Sequence, residues 1–179
     1  MANFQKDGLW IQGGQGLMAD VSEDSPYVPG QVGKVLSVKT TDGKLPRFYQ
    51  YVQRYTTETN AAAAGQLAFW QDIDDFVVTA DSATAIGGTT NPVVAGVWLG
   101  TKPAAGKYGF VQVQGVASVA VTGTVAAGDN VIPANSTQGK ASATNANVNV
   151  PVVAVALSAV STSTNSSIAA HLRTVRNGW

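Results

Sequence analysis

One histidine, eleven acidic residues and no cysteine are the stock from which this 179-residue chain could build a catalytic or metal centre. Without cysteine there is no thiolate metal site, no cysteine nucleophile and no disulfide framework. His171, in Ser167-Ile168-Ala169-Ala170-His171-Leu172-Arg173, would have to serve any Ser-His-Asp triad, and no Gly-x-Ser-x-Gly elbow accompanies it. A lone histidine on a strand reads as structural or exposed, and one histidine excludes the two-histidine helical zinc motif. Asp72-Ile73-Asp74-Asp75 is the densest acidic run. Three carboxylates could hold Ca²⁺ if the backbone folded round them, but the run lacks the spaced ligands and turn glycine of a calcium loop. It reads as solvated loop charge. The two glutamates, Glu23 and Glu58, sit in irregular polar surroundings and suggest no acid–base pair. The expectation is a non-enzymatic chain, with no catalytic residue, no metal and no cofactor.

Three further patterns have bland readings. Gly14-Gln15-Gly16-Leu17-Met18-Ala19 matches a dinucleotide-binding glycine pattern, but Pro26 and Pro29 follow and no βαβ unit surrounds it. Asn135-Ser136-Thr137 and Asn165-Ser166-Ser167 are glycosylation triplets of a kind that arises by chance in Ser/Thr/Asn-rich chains. Tyr49, Tyr51 and Tyr55 share one parity along a strand and could form an aromatic face for stacking sugars or bases. Core packing or a subunit interface is the commoner use of such a face.

The elements that must position these residues are β-strands. From Lys34 the chain alternates, and Thr41-Asp42-Gly43-Lys44 carries the Asp-Gly signal of a tight hairpin. Strands are predicted at 34–40, 47–55, 67–70, 76–79, 93–99, 108–121, 130–133, 148–160 and 168–175, each bounded by turn-forming residues. In Tyr108–Val121, Gln112 and Gln114 are expected on one face and Val111 and Val113 on the other. Gly115 then permits a bulge or bend. Ala61-Ala62-Ala63-Ala64 has helix propensity, with Asn60 as a possible cap, but Gly65 limits it to a turn or two or a loop. Gly100–Gly106 and Gly123–Gly128 echo one another as shared hairpin chemistry, not as a repeat. No amphipathic helix separates the strands, so a sandwich or barrel is expected.

Residues 1–33 differ. Glycines and prolines interrupt every periodic run, yet Phe4, Trp10, Leu17 and Met18 are too apolar for a disordered tail. An extended arm lying on a surface, its own or a neighbour's, fits both facts. The expected organisation is an arm over 1–33 and a β-barrel-like domain over 34–179.

Only 12% of the residues are charged and the net charge is zero, against 45% hydrophobic residues. No basic stripe exists for phosphates, so no nucleic-acid partner is expected. The most apolar stretch, Val148 to Val160, contains Asn149, Pro151 and Ser158 and is too short and polar to span a bilayer, so no membrane partner is expected either. The N-terminus shows no secretory signal. A weakly charged surface suits a protein that buries itself against neighbours, or an ordinary β domain with a Ser/Thr/Asn surface.

The middle third resembles a known group. Val94-Ala95-Gly96-Val97-Trp98-Leu99-Gly100, then Ala105-Gly106-Lys107-Tyr108-Gly109-Phe110-Val111-Gln112-Val113-Gln114-Gly115, then Ala126-Ala127-Gly128-Asp129-Asn130-Val131-Ile132-Pro133, are similar to stretches of the small decoration, or cement, proteins of tailed bacteriophage capsids. The resemblance implies a small β-barrel or β-tulip-like domain, commonly trimeric, on the capsid exterior. Its partners would be the major capsid protein and further copies of itself. It would be made in the host bacterial cytoplasm. The arm would reach over the shell, with Phe4, Trp10, Leu17 and Met18 as candidate anchors at the capsid or subunit interface. Another virion β-domain, of tail or fibre, and a carbohydrate-binding module are the alternatives.

Overall fold

A fourteen-residue strand, Tyr108–Val121 (β8), is the spine of the molecule. It is longer than the usual 3–10 residues because it serves two sheets in turn. In the computed structural model, residues 4–6, 9–11, 32–33, 35–38, 46–58, 63–99, 103–134, 139–144, 152–161 and 166–173 are described. Ahead of β8 lie β1 (Phe4–Lys6), β2 (Leu9–Ile11), β3 (Val35–Val38), β4 (Arg47–Arg54), β5 (Leu67–Asp72), β6 (Val77–Thr79) and β7 (Val94–Trp98). After it come β9 (Asn130–Pro133), β10 (Ala141–Thr144), β11 (Ala154–Ala156) and β12 (Ser166–Leu172).

The pairings close two five-stranded rings that share β8. Its first half pairs antiparallel with β4 and β7, and β7–β5–β6–β4 completes the first ring through a parallel β6–β4 contact. Its second half pairs antiparallel with β12, and β12–β11–β9–β10 returns to β8 where Ala141 meets Val121. There the Thr122 N–H donates to the Ala141 carbonyl at 2.8 Å. Ring closure satisfies strand edges that would otherwise invite aggregation. The fold is all-β and barrel-like, as the strand pattern implies, and no helix occurs among the described residues.

Gly115 separates the halves of β8. Its φ of +95° is open to glycine and strained for any other residue. Just before it, β8 carries one extra residue, Val113, where Phe48 faces Gln114 but Tyr49 faces Gln112. The extra residue breaks the alternation that would put Gln112 and Gln114 on one face. Gln112 is buried, and its Nε2 donates to the carbonyls of Gln114 (3.2 Å) and Val116 (3.0 Å). A buried amide thus bridges carbonyls on the two sides of the bend.

The core forms two clusters divided by β5 and β7. Leu67 and Phe69 of β5 face one way, into a cluster with Val119, Val131, Ile168 and Leu172. Ala68 and Trp70 face the other way, with Val52, Val78, Trp98 and Val111. Both faces of β5 are thus apolar and buried, as its unbroken Leu-Ala-Phe-Trp run requires.

The two echoing turns are geometric twins. In Ala104-Ala105-Gly106-Lys107 and Ala126-Ala127-Gly128-Asp129 the fourth N–H donates to the first carbonyl, at 3.0 and 3.2 Å. Their glycines have φ of +76° and +92°, as a type II turn needs at its third position. Each turn then docks on a strand end. Gly106 donates to Arg54 O and receives Arg54 N–H through Lys107 O, while Gly128 donates to Ala156 O and receives Ala156 N–H through Asp129 O. Gly128→Ala, whose new methyl meets open space, should cost about 1 kcal/mol from backbone strain alone. Gly106→Ala should cost more, because its methyl would press on Thr56 Cγ2 at 3.3 Å. Paired urea melts would rank the two.

Of the other expectations, 63–66 form a turn, and the remainder of the alanine run falls outside the described residues. Ala141–Thr144 is a strand that the residue pattern missed. In the N-terminal segment β1 and β2 pair antiparallel, Phe4 opposite Ile11 and Gln5 opposite Trp10. Gly33 is fastened to β4: its N–H donates to Tyr51 O at 2.7 Å and its carbonyl accepts from Gln50 Nε2 at 3.1 Å. A Cβ there would run into the Phe76 ring.

Candidate functional site

The most concentrated chemistry among the described residues is a buried ion pair at one end of the first ring. Arg54 closes β4, the chain turns at Thr56-Thr57, and Glu58 comes back beneath it. Arg54 Nε lies 2.9 Å from Glu58 Oε2, with the two side chains 3% and 2% exposed. Arg54 Nη1 donates to Pro103 O at 2.8 Å, and Glu58 Oε1 accepts the Ala80 N–H at 2.7 Å. The pair thereby fixes four segments to one another: the end of β4, the turn after it, the loop before β8 and the end of β6. Charge is balanced within the pair and both carboxylate oxygens are engaged. That describes a clamp, in which the carboxylate ties together segments distant along the chain. Sequence reading placed Glu58 in polar loop surroundings and missed this burial.

Of the three tyrosines of like parity, Tyr49 and Tyr51 lie inside the chain and Tyr55 is half-buried. Tyr49 and Tyr51 are 5% and 1% exposed, and Tyr51 packs on Tyr108 (centroids 5.9 Å apart) and Phe110 (4.9 Å). These rings are core and offer no open stacking platform at Tyr49 and Tyr51. Burial pushes the Tyr49 phenol above its ordinary 10.0, opposed in part by a hydrogen bond and the positive charge of Arg47. With the folded pKa raised, the native state keeps a proton that the unfolded chain loses. This stabilising contribution is full below about pH 10 and fades as pH climbs through the raised value. Tyr49→Phe should therefore flatten the alkaline fall in melting temperature between roughly pH 9 and 11 relative to the parent chain. An unchanged slope would contradict this assignment.

The remaining candidates are not brought together. Asp72 Oδ1 accepts the N–H groups of Asp74 (3.0 Å) and Asp75 (3.2 Å), while Asp74 and Asp75 are exposed, so the run is a self-capped turn. It ends at Phe76, whose φ of 54° is left-handed and whose ring meets Trp70 edge-on at 6.3 Å. No group of three His, Asp or Glu among the described residues could hold a metal ion. His171 is partly exposed on β12, and its cross-strand neighbours are Val155 and Val116, neither of which could orient an imidazole. Trp98 Nε1 is buried with no hydrogen-bond partner among the described residues, deep in the first ring's core. Of the candidate anchors, Phe4 lies in β1 and Trp10 in β2, whereas Leu17 and Met18 lie outside the described residues, as does the glycine pattern at 14–19.

Fold and site together define an all-β protein of closed rings braced by a buried ion pair. No family model matches the chain, and no curated protein matches it. Among solved structures it is similar to the head fiber gp8.5 N base of bacteriophage phi29. The identity is 16%, over 70% of this chain and 93% of that one, with a TM-score of 0.47. A superposition that loose bears on neither role nor partner.

Proposed function

We propose that this chain is a structural virion protein of a tailed bacteriophage that seats on the outside of the capsid and stabilises the shell without catalysis. Its partners are the major capsid protein and two further copies of itself. The observation that carries this reading is where the resembling runs fall. They make β7, the first half of β8, β9 and the twin Ala-Ala-Gly turns, so the likeness lies in the frame of the domain and not in a detachable loop. The low charge supports it, because a surface with few charges loses little solvation when covered. Repetition over a shell multiplies a modest affinity per site.

Light scattering on the purified chain, followed by co-sedimentation with heads of the encoding phage that lack it, tests the reading. A trimer of the 18.4 kDa subunit, about 55 kDa, that pellets with heads is the expected result. A monomer that stays in the supernatant at every concentration would sink it. The arm adds a separate expectation. Deleting residues 1–31 spares the Gly33 attachment and should leave cooperative melting intact while weakening attachment to heads. Loss of the melting transition would make the arm part of the core.

A further inference from the structure

The two rings are one unit used twice. Numbered within its own ring, the first strand runs parallel to the third, the third antiparallel to the second, and the second antiparallel to the fourth. The fourth runs antiparallel to the fifth, which returns antiparallel to the first. In the first ring these strands are β4, β5, β6, β7 and the first half of β8; in the second they are the second half of β8, β9, β10, β11 and β12. Every pairing and every direction agrees. The twin turns play no part in this repeat: one stands between the fourth and fifth strands of its ring, the other between the first and second.

We infer that the outward face of β9 and β11 is the surface by which one copy of this chain binds another. The first ring shows what that face does. Its second and fourth strands, β5 and β7, turn Trp70 and Trp98 into the ring and Leu67, Phe69, Val94 and Val97 out of it. All four outward side chains are buried, because the second ring seats on them and joins them in one cluster with its Val119 and Ile168. On the second ring the strand register puts Ile132 and Val155 in the corresponding place, with Leu157 just past the end of β11. Here the face is open. Leu157 is 51% exposed, and Ile132 and Val155 are only partly buried.

The face is also built for contact. No outward-facing position of β9, β10, β11 or β12 holds Asp, Glu, Lys or Arg. A unit at the end of a stack is kept soluble by a polar outer cap, so an uncharged face with an apolar centre is that of an inner unit. The occupant follows from the precedent. What sits on this face in the first ring is a ring of the same fold, and a second copy of the chain brings two of them. Three copies so joined meet through unlike surfaces, the kind of contact that closes into a ring of subunits. The inference rests on the self-association proposed above and gives it a surface; it needs nothing of the capsid.

Light scattering across a range of concentrations, on the full parent chain, Leu157→Asp and Leu157→Ala, tests it. The alanine variant truncates the side chain without adding charge, which guards against a folding failure in the aspartate variant. The expected result is a parent at the mass of three 18.4 kDa subunits, about 55 kDa, and variants that need at least roughly tenfold higher concentration to reach it. Melting temperatures of the dissociated chains should not change. Equal assembly by all three overturns the face and leaves the self-association standing. A parent that stays at 18.4 kDa at every concentration overturns both. Variants that assemble poorly and also melt well below the parent assign Leu157 to the packing of its own chain and overturn its role between copies.

Discussion

Glu58→Leu is expected to lower unfolding stability by about 3–5 kcal/mol, the largest effect foreseen for any single polar residue in this domain. Glu58 is one half of the buried pair with Arg54 at 2.9 Å, and it also receives the Ala80 N–H. Removing it leaves a guanidinium out of water without its counter-charge and an amide without an acceptor. Both penalties are those of unsatisfied buried groups and exceed the net value of the contacts themselves. Since domains are stable by only about 5–15 kcal/mol in total, the variant should melt far below the parent or fail to accumulate folded. Glu58→Gln keeps an oxygen for Ala80 and should cost less. A double variant, Arg54→Leu with Glu58→Leu, should recover part of the loss, because no stranded charge remains. Denaturant melts of the four chains form the cycle. Additive losses with no recovery would mean that the pair is not coupled as its geometry requires.

Gly115→Ala is the second large effect, at roughly 2–4 kcal/mol. Two costs combine there. A residue with a Cβ is strained at φ +95°, and the new methyl would sit 3.0 Å from Pro46 O and 3.2 Å from Arg47 Cα, both backbone atoms that cannot swing away. The substitution strikes where one strand leaves the first ring for the second, so it should also disturb Gln112, whose amide bridges the carbonyls on either side of the bend. Slowed exchange of the amides near Gly115 in the parent chain, lost in the variant while the far ends of both rings keep theirs, is the expected pattern. A variant as stable as the parent would show that the bend tolerates a side chain.

Much of this architecture was legible from side-chain type. Val, Phe and Tyr at alternating positions, with Gly, Pro and Asp between them, give β4, β8 and β9 nearly at their observed bounds. The twin turns were legible as an echo, because Ala-Ala-Gly specifies a local backbone shape whatever the strands around it do. β10 was not. Ala141-Ser142-Ala143-Thr144 lacks the bulky residues that mark a strand, and it is one because Pro133 to Asn130 of β9 pair with it and Val121 of β8 closes the ring on it.

The site divides in the same way. Counting residues was enough to limit what chemistry is open to a chain with one histidine and no cysteine, and to set its class as β-rich and weakly charged. Such limits follow from composition, which no folding can alter. Which polar groups are buried was settled only in three dimensions. Four residues apart on an extended chain, Arg54 and Glu58 carry no signal of pairing; the turn at Thr56-Thr57 joins them, and Pro103 and Ala80, distant in sequence, complete the clamp. Likewise the shared parity of Tyr49 and Tyr51 predicts a common face but not its surroundings. Periodicity is a property of neighbours along the chain, whereas burial depends on what the rest of the chain lays over them.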